Sequence, residues 1–266
     1  MSKKIVAIGG GEYERKKSDG TLLLYELKDI HKEIVKLSGK TNPNVLILNH
    51  ALENDIFEQN GNTVLMNLFS TYFSCNCKCL EKKDLNNVTF VSELFDWADI
   101  IYENGGDTVY LIELWKKYGL DKKIIDAYNK GKVISGVSAG ATCLFNCGNV
   151  GNFMNKDINK LDCLNIIDAY FCPHYNLKGK YESVKNTLKF IDKVGISLSN
   201  CCAIEIIDNN YRLLTTNASN YGINAYGIKS YWENNEYIEE KIDKSMEFKN
   251  LEDLLEKQTK IKTQKM

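Results

Sequence analysis

Short apolar runs alternating with helix-length amphipathic segments predict an α/β domain, a mostly parallel sheet with helices on both faces and a C-terminal β-hairpin region. Three observations carry this. The apolar runs are continuous rather than alternating, as strands covered on both faces require. From residue 3 to about 205, each run is separated from the next by apolar residues at helical spacing. After residue 200 the texture changes to strands paired around a turn.

Residues 4–8 read as the first strand, which stops in Gly9-Gly10-Gly11, too early for the apolar core of a secretory signal. Residues 21–37 follow as a helix, with Leu23, Leu27, Ile30 and Ile34 on one face and Gly39 as its stop. A second strand spans 44–48 and a further helix 64–72. Residues 97–102 are a buried strand, apolar apart from Asp99. Asp107 caps a helix over 108–118 that Gly119 ends, and another helix runs over 121–129. Residues 133–137 are the next strand, and 177–194 a long helix closed by Gly195. Segments 203–207 and 211–215 flank Asp208-Asn209-Asn210 as a hairpin, and 221–232 supply more strand. One domain is expected over 1–235, with 236–266 a charged tail holding at most a marginal helix around 248–255.

The chain has 266 residues and a formal net charge of −1, which creates no field toward nucleic acid or an anionic membrane. No apolar stretch approaches the roughly 18 residues of a membrane span. Nine cysteines, odd in number and irregularly spaced, read as free thiols in a reducing cytoplasm. Cys75-Asn76-Cys77-Lys78-Cys79 puts three small side chains on one face of a strand and lacks the two spaced pairs of a zinc site. Neither a metal nor a cofactor is expected, and Gly9-Gly10-Gly11 fits no nucleotide fingerprint.

Chemistry concentrates in Gly136-Val137-Ser138-Ala139-Gly140, which follows an apolar strand and precedes a segment, 139–145, that can begin a helix. A serine on such a tight strand-to-helix turn presents its hydroxyl at the carboxyl edge of the sheet. The Ala139 amide, at the helix start, is a natural oxyanion donor. Asn104-Gly105-Gly106-Asp107 leaves another strand and opens a helix, so it is either a close backbone approach to a ligand or an ordinary turn. Three histidines could serve as base. His31 lies on a polar flank of the first helix and reads as solvated. His50 ends the second strand. His174 follows Pro173 at the end of another strand, where an open α/β sheet forms its site.

These motifs, with Cys172-Pro173-His174-Tyr175, the opening Ile5-Val6-Ala7-Ile8-Gly9-Gly10-Gly11 and Lys40-Thr41-Asn42-Pro43, together resemble peptidase family S51, the aspartyl dipeptidases and cyanophycinases. The resemblance runs in order over roughly residues 3–215. It implies a fold like that of class I glutamine amidotransferases, with serine in place of their cysteine. It also implies Ser138 as nucleophile, His174 as base, and the Gly106 and Ala139 amides as oxyanion donors. The family places an acidic residue between nucleophile and histidine, yet residues 139–156 hold no Asp or Glu. Asp157 is the first carboxylate available for that role, with Asn149 and Asn152 nearer the family position and Glu205 the next acid to consider. Where the dipeptidases hold an arginine for a substrate carboxylate, this chain has Lys178 and Lys180, point charges without a bidentate fork. The expected activity is that of a cytoplasmic serine exopeptidase on small peptides, including those with an acidic N-terminal residue, through an acyl-enzyme. A non-peptide esterase or amidase, and a non-catalytic binding protein on the same fold, are the alternatives. The expected partners are a small peptide and at most a second copy in a homodimer, with neither nucleic acid nor membrane.

Overall fold

A computed structural model describes residues 1–150 and 161–257. Strand β1 (Lys4–Gly10) leads into a small hairpin, β2 (Arg15–Lys16) and β3 (Leu22–Leu23), and then α1 (Lys28–Leu37). Next come β4 (Asn44–Leu48), α2 (Asp55–Phe73), β5 (Asn76–Leu80), α3 (Val88–Trp97) and β6 (Ile100–Glu103). Helices α4 (Thr108–Tyr118) and α5 (Leu120–Asn129) precede β7 (Val133–Val137) and a single turn, α6 (Ala139–Thr142). Then follow β8 (Phe145–Gly148), β9 (Leu161–Asp162), β10 (Ile167–Cys172), α7 (Lys180–Leu188) and β11 (Gly195–Leu198). The chain continues through β12 (Cys202–Ile207), β13 (Asn210–Thr215), β14 (Gly227–Glu233) and β15 (Glu236–Lys241), and the described part closes with β16 (Lys249–Asn250) and α8 (Leu251–Leu255).

These elements form an α/β fold around two sheets rather than one. In the larger, β1, β7, β6, β4 and β5 are parallel neighbours in that order. On the far side of β1, β12, β13 and β16 are antiparallel. The smaller sheet, ordered β15-β14-β11-β10-β8-β9, has β8, β10 and β11 parallel. Alternation along each strand sorts the core. Val6, Ile8, Val45 and Ile47 pack against Ile30 and Ile34 of α1 and Leu65 and Phe69 of α2. Ile5, Leu46, Leu48 and Ile134 face Leu94, Leu111, Trp115 and Ile124 of α3, α4 and α5, and share that layer with Phe145, Phe171 and Ile196 of the smaller sheet. Cys75, Cys77 and Cys79 share one face of the β5 segment, and burial pushes their thiols up to about 12, 11 and 12. Among the described residues no helix is long and apolar enough to cross a membrane.

The structure departs from the sequence pattern where distant groups intervene. The first helix begins at Lys28, not at residue 21, because Leu22 and Leu23 pair with Lys16 and Arg15. The buried Glu26 carboxylate also accepts the Glu12 and Asn220 amides at 2.8 and 2.6 Å, which holds the chain before α1 in a loop. His31, expected to be solvated, is fully buried, its two ring nitrogens bonded to the Tyr25 and Tyr102 hydroxyls. Helix α2 starts at Asp55 because Asn54 caps the Ile56 and Phe57 amides, and Trp97 ends α3 rather than opening a strand. The helices expected over 139–145 and 177–194 are the shorter α6 and α7. Residues 236–241, expected to begin a charged tail, are the edge strand β15, whose exposed Glu236, Glu239 and Lys241 deter further strand pairing.

His50 is buried at the C-terminal edge of the larger sheet, where its Nε2 bonds the Leu80 carbonyl at 2.7 Å and its Nδ1 accepts from Trp115 Nε1 at 3.1 Å. Both ring nitrogens are thus engaged in structure. Burial holds His50 down at about 4 and His31 at about 3, whereas the unfolded chain takes up these protons near its ordinary value of about 6.5. These groups should leave stability unaffected above about pH 6.5 and lower it progressively as pH falls toward 4, because only the unfolded state gains protons in that window. Melting temperature followed from pH 7 to 4 should decline, and less steeply in His50→Gln; equal slopes would contradict the assignment. At neutral pH, His50→Ala should lose roughly 2–4 kcal/mol in urea denaturation, from the cavity and two orphaned partners.

Candidate active site

Strand β7 delivers Ser138 at its carboxyl end, where the Ser138 amide bonds the Ile8 carbonyl of β1 at 3.0 Å. Its backbone angles, φ 55° and ψ −110°, lie in a region costly for a residue with a side chain, a strain of about 1–3 kcal/mol. The strain is held by α6, whose Ala141 and Thr142 amides return to the Ser138 carbonyl at 3.1 and 2.8 Å. The turn is also crowded: a Cβ on Gly140 would lie 2.4 Å from the Glu103 carbonyl oxygen. The loop after β6 therefore packs directly on the serine turn. A Cβ on Gly105 would stand 3.3 Å from that of Ser138, so the Asn104-Gly105-Gly106 backbone passes beside the hydroxyl. Ala139 is the first residue of α6, and its N–H has no intrahelical acceptor.

His174 follows β10, with φ 53° and its amide bonded to the Gly9 carbonyl at 2.9 Å. Its Nε2 lies 2.9 Å from Ser138 Oγ, and its Nδ1 lies 2.6 Å from Asn200 Oδ1. An amide oxygen only accepts, so the proton sits on Nδ1 and leaves Nε2 free to accept from the serine hydroxyl. Asn200 is itself set by its amide, which donates to Asn176 Oδ1 at 2.8 Å. Burial lowers the His174 pKa, the Asn200 bond opposes this, and the charge of Lys180 lowers it further. The ring is thus kept neutral.

The place at Nδ1 that sequence reasoning gave to Asp157 is taken by Asn200, and Asp157 and Asn152 lie outside the described residues. Asn149 does not reach the histidine; it is buried, donating to Tyr170 and Ser183 and accepting from Lys180 Nζ at 2.7 Å. Glu205, on β12, is fully buried in an ion pair with Arg212 at 2.6 Å and sits beside Val6 in mid-sheet. Of the two lysines, Lys180 is half-buried near His174, while Lys178 is exposed. The signal for Asn200 was its place just past the carboxyl end of β11, the same edge that supplies Ser138 and His174.

Residues 5–214 match the model of peptidase family S51. The uncharacterized peptidase YgaJ of Bacillus subtilis is 26% identical over 234 residues, 85% of this chain and 92% of its own length. The uncharacterized peptidase Lmo0363 of Listeria monocytogenes is 35% identical over 85 residues, 29% of this chain and 40% of its own. The crystal structure of a peptidase from an acI-B1 Actinobacterium shares the fold with a TM-score of 0.70 at 20% identity, covering 94% of this chain and 97% of that one. With the family model matched over most of its length, this chain belongs to peptidase family S51.

Proposed function

We propose that this protein is a serine-type exopeptidase of small peptides, and the observation that carries the reading is Ser138 Oγ at 2.9 Å from a His174 Nε2 whose proton is held on the opposite nitrogen. His174 takes the hydroxyl proton as Ser138 attacks the scissile carbonyl, and the oxyanion that forms is received by the Gly106 and Ala139 amides. His174 then protonates the leaving amine, and a water activated by the same nitrogen resolves the acyl-enzyme. Asn200 fixes the ring and its tautomer without supplying a charge to balance the imidazolium. Lys180, whose charge acts on the His174 ring, supports a preference for a substrate carboxylate, such as an acidic N-terminal residue. All nine cysteines are free thiols, which supports a reducing, cytoplasmic setting.

Ser138→Ala should abolish labelling by a fluorophosphonate probe and reduce peptide turnover on the order of 10⁴-fold or more, with the fold intact by circular dichroism. Near-normal turnover in that variant would end the reading, and failure of the wild-type protein to label at all would favour a binding protein that has lost the acid. Asn200→Ala should lower kcat by roughly 10²–10⁴-fold. Asn200→Asp should do the opposite and raise kcat, since a carboxylate stabilises the imidazolium. The same charge raises the His174 pKa, so the acid limb of kcat/KM moves to higher pH; an unmoved limb would show that Asn200 does not act on the ring. For Lys180, a dipeptide panel is decisive: kcat/KM for Asp-Leu should exceed that for Ala-Leu, and Lys180→Met should erase the difference.

A further inference from the structure

One chain of polar side chains, buried at Tyr25, His31 and Tyr102 and half-buried at Tyr13 and Asn104, has no part in the chemistry above. His31 Nδ1 lies 2.5 Å from the Tyr25 hydroxyl, and its Nε2 lies 2.9 Å from the Tyr102 hydroxyl. Tyr102 is 3.1 Å from the Tyr13 hydroxyl, which donates to Asn104 Oδ1 at 2.7 Å. Asn104 is the residue before Gly105-Gly106, the loop that passes beside Ser138. We propose that this chain, with Tyr13 as its last member, is a positioning device that holds the Asn104–Gly106 loop in register with the serine. The proposal rests on the reading of that loop as the oxyanion site.

The hydrogens along the chain all run one way. Asn104 Oδ1 can only accept, so Tyr13 donates to it, and the Tyr13 oxygen must then accept from Tyr102. Tyr102 in turn accepts from the N–H on His31 Nε2. That leaves His31 Nδ1 unprotonated, to accept from Tyr25. Each group has one role, and a charged ring, donating at both nitrogens, would break the order; burial keeps His31 neutral down to about pH 3. The chain is walled by Phe69, whose ring centroid lies 5.1 Å from His31 and 5.3 Å from Tyr102.

Backbone contacts position the loop only in part. The Asn104 amide bonds the Leu48 carbonyl at 3.1 Å, and the Asp107 amide bonds Ala51 at 2.8 Å. Between these anchors stand two glycines, the least restrained residues the chain could place there. Tyr13 adds a side-chain tie at the loop's first residue. It comes from a segment that is itself secured, because Glu12 exchanges bonds with Glu26 at 2.8 Å through the carboxylate and 3.0 Å through the backbone. Packing alone would be served as well by phenylalanine at positions 13 and 25, and more cheaply, since buried hydroxyls cost free energy unless each finds its partner. What the hydroxyls add is direction and a fixed end at Asn104.

The test is Tyr13→Phe, with two independent readouts. Amide hydrogen exchange of the peptide spanning 103–107 should accelerate about tenfold while exchange in β4 and β7 is unchanged. For phosphonylation of Ser138 by an alkyl fluorophosphonate, the maximal rate constant should fall by roughly tenfold or more, as when oxyanion donors lose alignment, with the half-saturating probe concentration and melting temperature little altered. Tyr25→Phe, at the far end, should shift both readouts in the same direction by less. Unchanged loop exchange in a folded Tyr13→Phe protein would overturn the proposal even if the wild type proved inert to the probe, so the exchange arm fails separately from the hydrolase reading. Nitrogen-15 spectra of the unmodified protein give a check that needs no variant: His31 should be neutral with its proton on Nε2, and a proton on Nδ1 would reverse the chain and overturn the assignment.

Discussion

The last three residues of β1 each give a backbone carbonyl to a different part of the candidate site. Ile8 accepts from Ser138 at 3.0 Å, Gly9 from His174 at 2.9 Å, and Gly10 from Cys201, beside Asn200, at 2.8 Å. Ser138, His174 and Asn200 arrive from β7, β10 and β11, in two different sheets, and meet on one strand end. The absence of side chains there is what permits it. A Cβ on Gly9 would lie 2.6 Å from the Leu198 Cβ and the Ser199 carbonyl oxygen, and one on Gly10 would lie 2.4 Å from the His174 ring and Asn200 Oδ1. Any larger residue at position 10 would displace the imidazole from both of its partners. The glycine run is therefore the seam along which the smaller sheet is brought against the larger.

With its pieces pinned in this way, the site can hold two residues at unfavourable backbone angles. Ser138 and His174 both have positive φ, at 55° and 53°. Each is followed by a turn that returns a hydrogen bond to its carbonyl, Thr142 to Ser138 at 2.8 Å and Leu177 to His174 at 2.9 Å. Strain of this kind persists only where the surroundings over-determine it, and bonds on both sides of each residue do so here.

The electrostatics favour a neutral His174 ring. Burial disfavours the imidazolium, Lys180 repels it, and Asn200 offers an oriented dipole where a triad has a carboxylate. In a full triad one carboxylate supplies both geometry and charge balance; among the described residues, the partner at His174 Nδ1 is an amide oxygen, which orients the ring without that charge. Lys180 is in turn held by Asn149, which Tyr170 and Ser183 orient, so the cation belongs to a built wall of the site.

How much of this was legible follows from the range of the forces involved. Parallel strands, helix caps at Asp107 and stops at Gly119, and the strained turn at Ser138 are local: propensity, apolar period and small residues within a few positions determine them. His174 was legible through its place at a strand end and through a family motif. The start of α1 was not, since it depends on Glu26 binding Asn220, 194 positions away, nor was the burial of His31, which depends on Tyr102, 71 positions away. Nor was Asn200, because an asparagine after a strand is an ordinary loop residue until the pairing of β11 with β10 sets it against the histidine. The sequence by itself determined the α/β class and the tight turn that carries Ser138, since these rest on contacts within one strand-turn-helix unit. Only the tertiary structure decided the division into two sheets, the amide behind the histidine and the purpose of the glycines in β1, because each depends on surfaces that meet only after the chain has closed on itself.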